Sequence, residues 1–144
     1  MKKFLLYLLG TFLLIQLIQS EKSNPVVDKT KEIKATKEIM ALFKRSCYDC
    51  HSNETKWPLY SYIAPFSWVV SSNVKNARRA MNFSSWKDID DKIKESRVKR
   101  MKQLINNSMM PKGSYLMMHK KAVLSKKDKI TLSEWVNKEL VEKN

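Results

Sequence analysis

Apolar residues first run together and then recur at helical spacing. From Phe4 to Ile18 the run is interrupted only by Gly10, Thr11 and Gln16, and Lys2 and Lys3 stand before it. A charged pair followed by such a stretch reads as an export segment over residues 1–20, either an uncleaved signal-anchor or a cleaved signal peptide. A helix over fifteen residues reaches roughly 22 Å at about 1.5 Å per residue. That is short of the ~30 Å hydrocarbon core of a bilayer. Adding Gln19 and Ser20, with local thinning, extends it toward a full span. No Ala-x-Ala cleavage site follows, and Ile18, Gln19, Ser20 is a poor substitute. The anchor is therefore preferred, with the rest of the chain outside the cytoplasm. Lysines flank the run on both sides, so charge asymmetry does not decide the topology.

Residues 21–29, with Pro25 and several polar side chains, read as a linker, and 30–144 as one domain. A helix is predicted from about Thr30 to Ser46, with Ile33, Met40 and Phe43 on one face and Ile39 beside them. The stretch 53–65 holds Trp57, Pro58, Tyr60, Tyr62 and Pro65 and reads as an irregular, partly buried loop. From Phe66 the apolar positions Val69, Val70, Val74, Ala77 and Met81 return to helical spacing. Ser85 and Asp88 form a candidate capping box before a helix that carries Ile89, Ile93, Met101, Leu104 and Ile105 on one face. Residues 106–113 break the pattern. Ser125 and Asp128 are a second candidate box, ahead of a stripe made by Leu132, Trp135, Val136 and Leu140. No strand alternation appears, so the predicted fold is all-α.

Composition narrows the classes. Two glycines, Gly10 and Gly113, are too few for glycine-rich phosphate loops or for the tight turns of most β folds. The formal net charge is +14, and without Lys2 and Lys3 the remaining 26 basic and 14 acidic side chains leave +12. Such a surface suits acidic proteins, anionic headgroups or nucleic acid, or is a solvated lysine-rich helical exterior. Export argues against nucleic acid.

Two cysteines, Cys47 and Cys50, precede His51 directly. Covalent haem attachment requires two thiols that add to two vinyl groups, a two-residue spacer that sets their separation, and a histidine carried beneath the iron. All three demands are met. The rivals are a thioredoxin-like redox pair, which wants a βαβ context, a zinc site, for which only His51 and His119 remain as further histidines, and a small local disulfide. Electron-transfer haem iron is commonly held by His and Met. Met110, followed by Pro111 in the loop between two predicted helices, is the natural distal candidate, with Met109 and His119 as alternatives. Met117 and Met118 read as core filler. Trp57, Tyr60, Tyr62, Trp68 and Tyr115 are candidates for the pocket wall or simply for packing.

The order of helix, Cys-x-x-Cys-His, long middle, Met-Pro loop and C-terminal helix resembles class I cytochrome c. More closely, Cys47–His51 followed by Ser52, Asn53, Glu54, Thr55, Lys56, Trp57 and Pro58, then Ile63, Ala64 and Pro65, resembles the small bacterial haem-binding domain family. Asn82, Phe83, Ser84, Ser85 and Trp86, then Met110, Pro111, Tyr115, Leu116, His119, Ala122, Leu124 and Ser125, fit the same pattern, as do Glu21, Lys22, Asn24 and Pro25 after the leader. Lys112 stands where a second proline often follows. The resemblance implies a cytochrome c-like helical domain with one haem c on Cys47 and Cys50, His51 as proximal ligand and Met110 as distal ligand. The expected function is one-electron carriage on the periplasmic side of the membrane, with acidic redox proteins as partners and no small-molecule substrate. A sensor or small peroxidase with an open distal site is the alternative. No acid–base constellation accompanies the motif, so a carrier is expected rather than an enzyme.

Overall fold

The computed structural model describes residues 1–141, and every regular element among them is helical. Helix α1 is Lys2–Ile15, α2 Lys37–Ser46, α3 Tyr48–His51, α4 Phe66–Ala80, α5 Asp91–Asn106, α6 Gly113–Met118 and α7 Lys126–Val141. Short 3-10 turns at Leu59–Tyr62, Phe83–Asp88 and Lys120–Ala122 join them.

Helix α1 has 14 residues, none of them buried. Among the described residues no helix is long and apolar enough to cross a membrane. The extension through Gln19 and Ser20 that would lengthen it is not made. The domain draws the chain out of helix instead: the Gln16 carboxamide bonds both backbone groups of Ala64, and the Ser20 hydroxyl donates to the Ser67 carbonyl. The expected linker is likewise held down, because Arg78 donates to the Ser23 carbonyl and to Asn24 Oδ1.

Helix α2 starts seven residues later than the pattern predicts. Ile33 is buried, but its amide donates to the Phe83 carbonyl at 2.9 Å, and the Lys87 amide donates to Lys31 at 3.0 Å. These bonds tie the 30–36 segment to the 83–88 turn rather than to a helix. Thr36 then caps α2 by accepting from the Ile39 amide. The buried face is Ile39, Leu42, Phe43 and Ser46, the i, i+3, i+4, i+7 set of an amphipathic helix.

The first candidate capping box is not one. Asp88 pairs with Lys31 at 2.9 Å, and Asp90 caps α5 by accepting from the Lys92 amide at 3.0 Å. The second box forms as expected. Asp128 Oδ2 accepts from the Ser125 amide at 2.8 Å, and Ser125 Oγ accepts from the Asp128 amide at 3.1 Å. Arg45 adds a 2.7 Å ion pair to the same carboxylate. The Ser125 backbone bond holds the Asp128 carboxyl below its ordinary value, with the Arg45 and Ser125 side chains adding to the effect. Asp128→Ala is expected to cost about 1 kcal/mol in urea denaturation, the usual worth of such a cap. Because the folded pKa is depressed, this stabilisation is whole above the ordinary carboxylate range and fades as pH falls through the folded value.

The core centres on Phe43. It stacks on Phe83 with ring centroids 4.7 Å apart and meets the edge of Trp135 at 5.2 Å. Val98, Met101 and Ile105 of α5 and Leu132 and Val136 of α7 close around it. Ile93, expected on the buried face of α5, is exposed. Helix α4 behaves differently from α2, α5 and α7. Within it Val74 is the buried apolar side chain, while Phe66 and Val69 are 61% and 57% exposed. Most of its apolar stripe faces a void rather than the core.

Candidate functional site

The Cys47–His51 segment is a single helical turn at the end of α2. Amides of Cys50 and His51 both bond the Cys47 carbonyl, at 3.1 and 2.9 Å. The two spacer residues fix its orientation. Tyr48 is buried in the core, with its hydroxyl donating to Glu32 at 2.9 Å, and Asp49 accepts from the Tyr115 hydroxyl at 2.7 Å. This turns Cys47, Cys50 and His51 together toward the void left by α4.

His51 is held in place by a backbone carbonyl. Its Nδ1 lies 3.0 Å from the Met81 carbonyl. A carbonyl only accepts, so Nδ1 carries the proton and the lone pair sits on Nε2. Burial pushes the imidazole pKa down, which keeps the ring neutral, and Phe83 packs against it at 6.0 Å between centroids. A histidine held through one nitrogen by a backbone carbonyl is the usual arrangement for a metal-binding imidazole.

Two apolar cavities, of about 430 and 420 Å³, share Cys47, His51, Ala77, Met110, Pro111 and Lys112 in their walls. Cys50, Val70, Tyr60 and Tyr115 line the first, and Phe83, Met101 and Leu104 the second. Each falls within the usual range for a cofactor site, about 300–1,000 Å³. The charged side chains around the second are all basic: Arg97, Arg100 and Lys112. An apolar void, a neutral histidine with an available nitrogen, two adjacent thiols and a basic rim fit haem: a flat ring, an iron and two carboxylates.

The distal candidates separate. Helix α5 ends with Ser108 in the left-handed region at φ 56°, the post-helix position usually given to glycine. The reversal lets the amides of Met109 and Met110 both donate to the Leu104 carbonyl, at 2.8 and 3.2 Å. Met110 enters the cavity wall, whereas Met109 is 58% exposed. Lys112 Nζ bonds Asn73 on α4 at 2.7 Å and secures the loop from the other side. His119 also lines the first cavity, but its Nε2 is 2.8 Å from the Tyr60 hydroxyl and its ring stacks on Tyr115 at 4.2 Å. Met117 and Met118, read as core filler from the sequence, are exposed and line the same cavity. Among the aromatic candidates Tyr60 and Tyr115 reach the cavity. Trp68 and Tyr62 instead meet the N-terminal segment.

Both half-buried thiols lie where the thiolate is disfavoured. Burial pushes Cys47 up to about 12, with Cys50 adding to the effect, and burial pushes Cys50 up to about 11, with Asp49 adding. A catalytic redox pair needs the opposite, a lowered thiol pKa. No group of three or more His, Cys, Asp or Glu gathers for a metal among the described residues.

Three positions carry the site without a signal in the sequence. Asp49 reads only as a spacer, and Glu32 only as one position of the helix predicted from about Thr30. Arg78 donates to the Ser52 carbonyl and to Thr55 Oγ1, both at 2.8 Å, as well as to the linker. It clasps the chain just after the histidine. A lysine- and arginine-rich helix gives no hint of which cation turns inward.

A cavity of this form, open to a flat apolar cofactor and offering nitrogen and sulfur donors, defines an all-helical haem-binding protein. The model of the haem-binding domain family matches residues 10–138, and the chain belongs to that family. No curated protein and no solved structure matches it.

Proposed function

We propose that the protein holds one haem c covalently and serves as a one-electron carrier on the periplasmic face of the cytoplasmic membrane. The observation that carries this reading is the placement of Cys47, His51 and Met110 in the walls of both apolar cavities, with Cys50 in the wall of the first. The domain is read as cytochrome c-like on the order of its helices and the position of its methionine loop. Bound haem supplies an iron that gains and loses one electron. Cys47 and Cys50 would hold it covalently, each thiol adding S–H across one vinyl C=C, sulfur to one carbon and hydrogen to the other, with nothing leaving. Such thioethers would be uncharged, which suits two half-buried thiols whose surroundings disfavour a thiolate. His51, through Nε2, and Met110, through its thioether, are the residues that would hold the iron, a pair that would raise the potential. The surrounding side chains exclude water and hold the iron environment fixed.

Acidic redox proteins are the partners that match the basic exterior, steered by long-range attraction. Helix α1 is the element that associates with the membrane. A second reading, a sensor or small peroxidase with an exchangeable distal ligand, is favoured by the hydrogen-bonded Tyr60–His119 pair in the cavity wall. Iron that is six-coordinate in both oxidation states supports the carrier; a five-coordinate state supports the alternative.

The test is the full chain produced in a host with a haem-attachment system. Its haem should survive denaturation and acid extraction, and Cys47→Ala with Cys50→Ala should abolish that retention. Haem that extracts freely from the wild-type chain overturns covalent attachment.

A further inference from the structure

Helix α1 is apolar on every side and has no buried residue. A protein groove covers one face of a helix and leaves the others in water. Lipid covers all of them, and Lys2 and Lys3 at its start suit the headgroup region. At about 1.5 Å per residue its 14 residues reach roughly 21 Å, against ~30 Å of hydrocarbon.

The chain does not drift away from the domain after α1. Ala64, 2% exposed, donates its amide to Gln16 Oε1 at 2.9 Å and accepts from Gln16 Nε2 at 3.2 Å. The Trp68 indole N–H donates to the Ile18 carbonyl at 2.8 Å. Ser20 Oγ donates to the Ser67 carbonyl at 3.0 Å and accepts from Ser71 Oγ at 2.9 Å. The helix therefore leaves the domain at one fixed place, the N-terminal end of α4.

Around that place the surface is apolar and aromatic. Leu59, Ile63 and Phe66 are 87%, 45% and 61% exposed. Lys22 Nζ stands 4.7 Å above the Tyr62 ring, with Trp68 beside the chain. Trp, Tyr and Lys at the exit of an apolar helix are the residues of a membrane–water boundary. Phe66 and Val69 also form part of the cavity wall.

Resting on the membrane reading above, we propose that the partner of this face is the bilayer itself. Gln16, Ile18 and Ser20 lock α1 to the domain so that Leu59, Tyr62, Ile63 and Phe66 sit in the headgroup layer. A helix too short to cross the hydrocarbon layer keeps the residues that flank it at the surface. The cavity edge at Phe66 and Val69 then faces lipid, and a redox partner reaches it along the membrane plane.

The test uses the full haem-loaded chain in nanodiscs of phosphatidylethanolamine and phosphatidylglycerol doped with a photoreactive phospholipid, adducts being mapped by mass spectrometry. Label is expected on α1 and on residues 59–69. Label on α1 alone, or on α1 and a different face such as α5 or α7, overturns the proposal. Gln16→Ala with Ser20→Ala should remove label from 59–69 while α1 keeps it; unchanged label there overturns the locking role. Leu59→Glu with Ile63→Glu should likewise clear 59–69 with the visible spectrum unaltered, and persistent label there counts against the face. Adducts read the protein surface and not the iron, so failure of the haem assignment leaves this outcome legible.

Discussion

Met110→Ala is expected to remove the weak long-wavelength charge-transfer band that a thioether gives on ferric haem, to lower the reduction potential and to let carbon monoxide bind the ferrous protein. The reason is local. Ser108 turns the chain left-handed, and the Met109 and Met110 amides share the Leu104 carbonyl. That geometry puts Met110 in the cavity wall and leaves Met109 largely exposed. Met109→Ala should therefore leave the spectrum intact. His119→Ala should alter it little, because Tyr60 and Tyr115 already engage that ring. The readouts are the visible spectrum, a redox titration and carbon monoxide binding. A wild-type ferric spectrum without the sulfur band, together with a His119→Ala spectrum that changes while Met110→Ala does not, moves the distal ligand to His119. The high-potential carrier would go with it.

Phe83→Ala should cost about 3–5 kcal/mol, the range for truncating a large buried aromatic. Phe83 is fully buried, stacks on Phe43 and lies 5.6 Å from the Tyr48 ring and 6.0 Å from His51. Its loss opens a cavity beneath the histidine and beside the core at once. Against a total of about 5–15 kcal/mol for a typical domain, that is a large fraction. Urea denaturation of the haem-loaded protein should show a lower midpoint with an unchanged slope. Phe83→Leu, which keeps most of the volume, should cost less than about 2 kcal/mol. Leu59→Ala, at an 87% exposed position, should stay within about 0.5 kcal/mol. If Phe83→Ala matches Leu59→Ala, the stacked centre does not hold the fold.

The sequence by itself determined the elements whose causes are local. Helix α4 begins at Phe66 and α7 follows the Ser125–Asp128 box as predicted, because helical period and reciprocal capping are written within a few residues. Cys47, Cys50 and His51 were legible for the same reason: one turn of helix brings them together whatever surrounds it. The methionine loop was legible as a break between two periodic stretches; that Met110 lines the cavities was not.

What the tertiary structure alone decided has causes far apart in the chain. The late start of α2 depends on Phe83 accepting from Ile33, and the false box at Ser85 depends on Lys31 taking Asp88. The bonds that aim the Cys47–His51 turn, from Tyr48 to Glu32 and from Tyr115 to Asp49, join residues with no shared periodicity. Neither does the sequence show that the α4 stripe faces a void, or that Gln16 and Ser20 leave the apolar run to bond the start of α4. Hydrophobic pattern records which side chains avoid water. It does not record whether protein, cofactor or lipid shields them, because all three meet the same physical demand.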